Sequence, residues 1–106
     1  MRFTMVLGAL LAVATGVGAA PTPQPQLEIH HFAYQPTTVT VAPGTTVRWM
    51  NHDEETHTVT STTGLFASPG LDLDETFEHT FTQPGTYTYF CALHPHMRAT
   101  VVVKGD

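Results

Sequence analysis

Beyond residue 26 no stretch of this chain keeps a helical hydrophobic period for more than a turn or two, which restricts the fold to strands. Short alternating runs are expected as strands over 27–34, 37–41, 45–51, 56–61, 76–82, 85–91 and 99–104. Two Pro-Gly turns, "APGT" at 42–45 and "QPGT" at 83–86, each precede a strand. Strands at this spacing predict an all-β, Greek-key β-sandwich of seven to eight strands. Residues 62–75 lack a strand pattern and read as an irregular crossover between the sheets. No internal repeat is present.

Side-chain alternation shows which residues can meet. Val47, Trp49 and Asn51 share one face of their strand, and the apolar pair must carry Asn51 inward. By the same rule His57 points inward with Val59, and Cys91 with Tyr87 and Tyr89. All three polar or reactive residues lie at strand ends, where side chains from different strands converge. In "LEIHHFAY" the inward set starts as Leu27 and Ile29 but resumes as Phe32 and Tyr34. A β-bulge at His30–His31 is the expected cause of this slip.

The first twenty residues belong to another class of sequence. One early arginine, an apolar run from Met5 to Val17 and small residues through Ala20 predict a secretory signal peptide over 1–20. A proline-rich tail follows at 21–26, leaving 27–106 as the single domain, with no membrane span in the mature chain. That domain keeps three basic residues, Arg48, Arg98 and Lys104, against nine acidic ones, which argues against a nucleic-acid partner. A small exported domain usually needs a staple, yet one cysteine cannot form an internal disulfide. A bound metal would both protect the thiol and stabilise the fold.

"FCALHPHMR" holds that cysteine. Cys91, His94 and Met97 follow a Cys-x2-His-x2-Met spacing, and His57 lies 34 residues upstream of the cysteine. Two histidines and a cysteine with a weak axial methionine make the donor set of a blue-copper electron-transfer site. Thiolate and thioether favour reduced copper, while imidazole holds both oxidation states. Structural zinc sites seldom use methionine, so zinc is a minor alternative. Pro95 stiffens the turn that presents His94 and Met97 to one point.

These residues carry a resemblance to the cupredoxins, most closely the amicyanin, plastocyanin and pseudoazurin branch. It extends over "FAYQPTTVTVAPGTTVRWMN", "HTVTS", "FTQPGTYTYFCALHPHM" and the closing "VVV", nearly all of the expected mature chain. The resemblance implies a single copper ion held by His57, Cys91, His94 and Met97. It also implies that Asn51 ties the two ligand loops together by hydrogen bonds.

Two positions depart from the family pattern. Between cysteine and histidine the family commonly has a hydroxyl residue and then proline; here stand Ala92 and Leu93. The hydroxyl's bracing bond should therefore be missing. Leu93 has an N–H that could reach the cysteine sulfur, which predicts a higher potential than in a Leu93→Pro variant. His96 stands where an apolar residue is usual, so the rim around His94 would combine Leu93, Pro95 and His96 as a docking surface.

Four histidines remain. His79 alternates with Phe77 and Phe81 and is expected inward as a hydrogen-bonded core residue. His30, His31 and His52 read as surface residues, with a second, weaker copper or zinc site as the alternative. No nucleophile or acid–base pairing is recognisable, and four protein ligands leave no open metal position, so no enzymatic activity is expected. The chain reads as a soluble, monomeric one-electron carrier between periplasmic redox partners, such as a c-type cytochrome or a periplasmic oxidoreductase. The alternative is a periplasmic copper-binding protein for copper delivery or resistance.

Overall fold

A computed structural model describes residues 24–105. The leader expected over 1–20 lies outside them, as do residues 21–23 of the proline-rich tail. Among the described residues eight strands form: β1 (Gln26–His30), β2 (Ala33–Gln35), β3 (Thr38–Val41), β4 (Thr45–Asn51), β5 (Thr60–Ser61), β6 (Thr76–Phe81), β7 (Gly85–Cys91) and β8 (His94–Val103). They make two four-stranded sheets, ordered β2-β1-β4-β6 and β3-β8-β7-β5. The chain passes repeatedly between sheets, so β1 runs parallel to β4 and β3 parallel to β8. This is the expected Greek-key sandwich. The first sheet starts at Gln26, and the Pro25 carbonyl accepts the Arg48 N–H, so the end of the proline-rich segment joins the sheet.

The core lies between the sheets and follows the alternation. Val47, Trp49 and Asn51 of β4 are buried, as are Tyr89 and Cys91 of β7. Trp49 donates its indole N–H to the Tyr89 hydroxyl at 3.1 Å, which joins the two sheets through a satisfied polar pair. Tyr34 packs edge-on against Tyr89 and donates its hydroxyl to the Thr58 carbonyl at 2.6 Å. Burial, helped by Cys91 and Tyr89, pushes the Tyr34 phenol far above its ordinary range, so it stays a donor.

Three local expectations change. The slip at His30–His31 is a hairpin rather than a bulge. Ile29 pairs with Tyr34 and His30 with Ala33, leaving His31 and Phe32 as a two-residue turn. Both have positive φ, 54° and 57°, the twist that a tight hairpin turn demands. This reverses the orientation expected for Phe32, which is 41% exposed. The run at 56–61 is strand only at Thr60–Ser61, and its earlier part is held by a bridge between His57 and Leu71. Finally, β8 begins at His94 rather than near 99. Phe90 pairs with Arg98 and Cys91 with His94, so Pro95, His96 and Met97 bulge out of the ladder between those two pairs.

Candidate metal centre

That bulge builds one side of the site. Ala92 and Leu93 form the turn between Cys91 and His94, which therefore face one another as a cross-strand pair. His57 arrives from the other side, fixed by reciprocal backbone bonds with Leu71: its N–H donates to Leu71 O at 3.1 Å and receives the Leu71 N–H at 2.7 Å on its carbonyl. Cys91 Sγ lies 3.8 Å from His57 Nδ1 and 3.6 Å from His94 Nδ1. One donor atom from each residue falls within 4.8 Å of the others, the only such group of histidine, cysteine or carboxylate residues among the described residues. Met97 is buried at 3% exposure in the same core cluster as Cys91.

The chemistry of this donor set fits one copper ion. A buried thiol with two imidazoles presenting the same nitrogen to it, and a buried thioether nearby, combine soft and borderline donors in a small space. Burial of Cys91 and His57 excludes water, whereas His94 is half-buried and keeps an edge near the surface.

The surroundings fix the imidazoles. Asp53 Oδ2 lies 2.9 Å from His57 Nε2, so the proton belongs on Nε2 and the Nδ1 lone pair is left for a metal. The same carboxylate accepts the backbone N–H groups of His31 at 2.8 Å and Phe32 at 2.9 Å. Burial pushes the Asp53 carboxyl up, but the donors of Phe32, His31 and His57 outweigh it and hold it below the ordinary range. Asp53 thus clamps the β1–β2 turn, and the turn carries Phe32 edge-on to both His57 and His94, with ring centroids 4.9 Å and 5.0 Å away.

Asn51 braces only one of the two ligand segments. Its Nδ2 donates to Glu55 O at 2.9 Å and to Leu71 O at 2.8 Å, while its Oδ1 accepts the Asp53 N–H. The tie expected of Asn51 between both ligand loops is made by Thr58. The Thr58 N–H points at Cys91 Sγ at 3.3 Å, and Thr58 Oγ1 accepts the Ala92 N–H at 2.8 Å. So the hydroxyl missing at Ala92 is replaced by one reaching in from the opposite segment. The N–H found at the sulfur belongs to Thr58 and not to Leu93, which removes the reason given for a Leu93→Pro effect on the potential.

A family model described as the cupredoxin-like domain matches residues 3–103. The chain belongs to the cupredoxin family. Among curated cupredoxins it is similar to amicyanin of Paracoccus denitrificans, at 32% identity over 74% of this chain and 63% of that protein. The chain thus spans somewhat under two thirds of that relative's length. Amicyanin-alpha of Methylorubrum extorquens is 31% identical, with 98% of each protein covered. A solved structure of a copper(I) amicyanin variant superimposes with a TM-score of 0.74 at 28% identity, covering 82% of this chain and 88% of that one. A purple cupredoxin from Nitrosopumilus maritimus gives a TM-score of 0.70 at 33% identity, with 76% of this chain and all of that one covered.

Among the other sequence-selected residues, Leu93 is 55% exposed, and Pro95 and His96 are exposed beside it. His79 turns inward as expected but is only half-buried, tilted against Phe66 and edge-on to Phe81, and its ring makes no hydrogen bond among the described residues, contrary to the expectation of a hydrogen-bonded core histidine. Thr58, Asp53 and Phe32 were not singled out from sequence. For Phe32 the signal was present in the phase slip; for Thr58 and Asp53 only their closeness to His57 pointed to them.

Proposed function

We propose that this cupredoxin binds one copper ion through His57, Cys91 and His94, with Met97 as the fourth donor, and carries single electrons between redox proteins. The observation that carries the reading is the convergence of His57 Nδ1, Cys91 Sγ and His94 Nδ1 within 4.8 Å in a largely buried site. Bound copper supplies a reversible one-electron couple. The chain supplies a site held from several directions, which limits rearrangement when the charge changes. Asp53 fixes the tautomer of His57, and Thr58 donates to the sulfur, drawing electron density from the thiolate and favouring the reduced state. Phe32 keeps water from the edge between the two imidazoles.

Electrons would enter and leave at the half-buried His94. Around it Leu93, Pro95 and Phe32 offer an apolar rim, with His96 as its polar member. A small patch of this kind suits the brief docking of redox partners by a monomeric carrier. Four protein donors leave no position for a substrate, in keeping with transfer rather than catalysis. The leader-like residues 1–20 support export to the periplasm, where a c-type cytochrome or an oxidoreductase could serve as partner.

Loading the protein with copper and recording its visible absorption tests the assignment. An intense thiolate-to-copper band at one copper per chain, absent in Cys91→Ser, is the expected result. A colourless complex would overturn it. Fast electron self-exchange separates this reading from copper delivery, for which ready loss of copper to chelators is expected.

A further inference from the structure

We propose a second metal site, for a divalent cation of borderline softness, on the outer face of the first sheet and formed by Glu28, His30 and His52. Leu27 and Ile29 are buried, so alternation along β1 puts Glu28 and His30 together on the opposite face. β4 runs parallel beside β1, with Glu28 opposite Met50 and Ile29 opposite Asn51. The His52 N–H extends this pairing by donating to the Ile29 carbonyl at 2.8 Å, so His52 emerges next to His30.

The side chains follow the backbone. His52 Nε2 is in direct contact with Glu28 Oε1. The His30 ring stands edge-on to His52 with centroids 6.2 Å apart, and His31 stacks on the far side of His30 at 3.8 Å. Two imidazoles and a carboxylate form a donor set suited to Zn2+ or Cu2+, with Cu2+ the tighter by the usual order of divalent affinities. The contact between His52 and Glu28 already places two of the three donors together. His30 closes the set by rotation of a partly exposed ring, and bulk water can complete the coordination. A surface ion pair alone would account for Glu28 and His52, but it has no use for the two imidazoles stacked beside them.

This site shares no ligand with the one at Cys91, so it stands or falls separately. The test titrates Zn2+, a redox-inert probe, into copper(I)-loaded protein, followed by calorimetry and by NMR of the imidazole resonances. One saturable zinc equivalent is expected, with shifts centred on His30 and His52. His30→Ala and His52→Ala should each weaken it by more than about tenfold, since losing even an outer-shell partner of a metal costs about that much. His79→Gln, on the inner face of β6, should leave the affinity unchanged. Added Cu2+ then identifies the ion: displacement of the zinc assigns the site to copper, and retention assigns it to zinc. Absence of saturable zinc uptake overturns the proposal, as does uptake that survives in the His30→Ala/His52→Ala double variant. Repeating the titration on Cys91→Ser keeps the outcome independent of the first site, because the ring shifts at His30 and His52 must persist there.

Discussion

Thr58 is next to one proposed ligand in sequence and bonded to another in space, through its N–H to Cys91 Sγ and its hydroxyl to the Ala92 N–H. Thr58→Val keeps the shape and the backbone donor but removes the acceptor. Ala92 then has a part-buried N–H with no partner, and chemical denaturation should show a loss of about 1–2 kcal/mol. The copper potential should move little, because the bond to the sulfur survives; a large shift in voltammetry would show that the hydroxyl matters for more than bracing. Asp53 makes a contrasting case. Asp53→Ala strips acceptors from His31, Phe32 and His57 at once, so a loss of about 3 kcal/mol is expected, the scale of one or two charge-assisted bonds. It also frees His57 to rotate, so the absorption spectrum of the copper protein should shift as well. An unchanged spectrum would mean that the bridge to Leu71 alone positions His57. Neither residue could be chosen from sequence, since which threonine or aspartate reaches a ligand depends on packing between segments rather than on spacing.

At the scale of elements, the strands with strict alternation were readable. In β4 and β7 an apolar face two residues in period left no freedom about where Asn51 and Cys91 point. The β1–β2 turn was not, because His31–Phe32 contains neither glycine nor asparagine to announce positive φ. Its conformation is held from outside by Asp53, and no local signal records that. The start of β8 was hidden for a similar reason: Pro95 to Met97 break the alternation, yet the ladder resumes on either side of them. Of the run at 56–61 only Thr60–Ser61 forms a strand, because His57 bridges to Leu71 in the irregular 62–75 crossover rather than to a regular strand. His79 on β6 offers a test of packing at this level. Burial lowers its pKa below the ordinary 6.5, so the folded protein binds that proton less tightly than the unfolded chain. Stability is therefore unaffected well above 6.5 and declines as pH falls from there toward the folded value. His79→Phe removes the titration and should lose less melting temperature than wild type between about pH 8 and pH 5.5. Equal losses in both proteins would place the acid sensitivity elsewhere.

For the whole molecule, the question is what holds together a small sandwich without a disulfide. Cys91 is the only cysteine and is free and buried, so no covalent staple exists within the chain. Aromatic contacts across the sheets, centred on Trp49, Tyr34 and Tyr89, contribute the core. At the opposite extreme from that apolar centre, His57, Asn51 and Cys91 are fully buried polar or reactive groups gathered at one end. Such an end is costly to close unless something satisfies it. Asn51 and His57 have protein partners, but the two Nδ1 atoms and the sulfur face each other. A metal bound only by the folded arrangement adds its binding free energy to folding, about 2.7 kcal/mol when the free ion exceeds its dissociation constant a hundredfold. Copper removal by a chelator should therefore lower the melting temperature, and restoring copper should recover it. Cys91→Ser should melt near the copper-free protein whether or not copper is present, because the thiolate is the donor most selective for the reduced ion. A copper-independent melting temperature in the native protein would mean that the core alone keeps this pole closed, and that the three donors meet for a reason other than binding a metal.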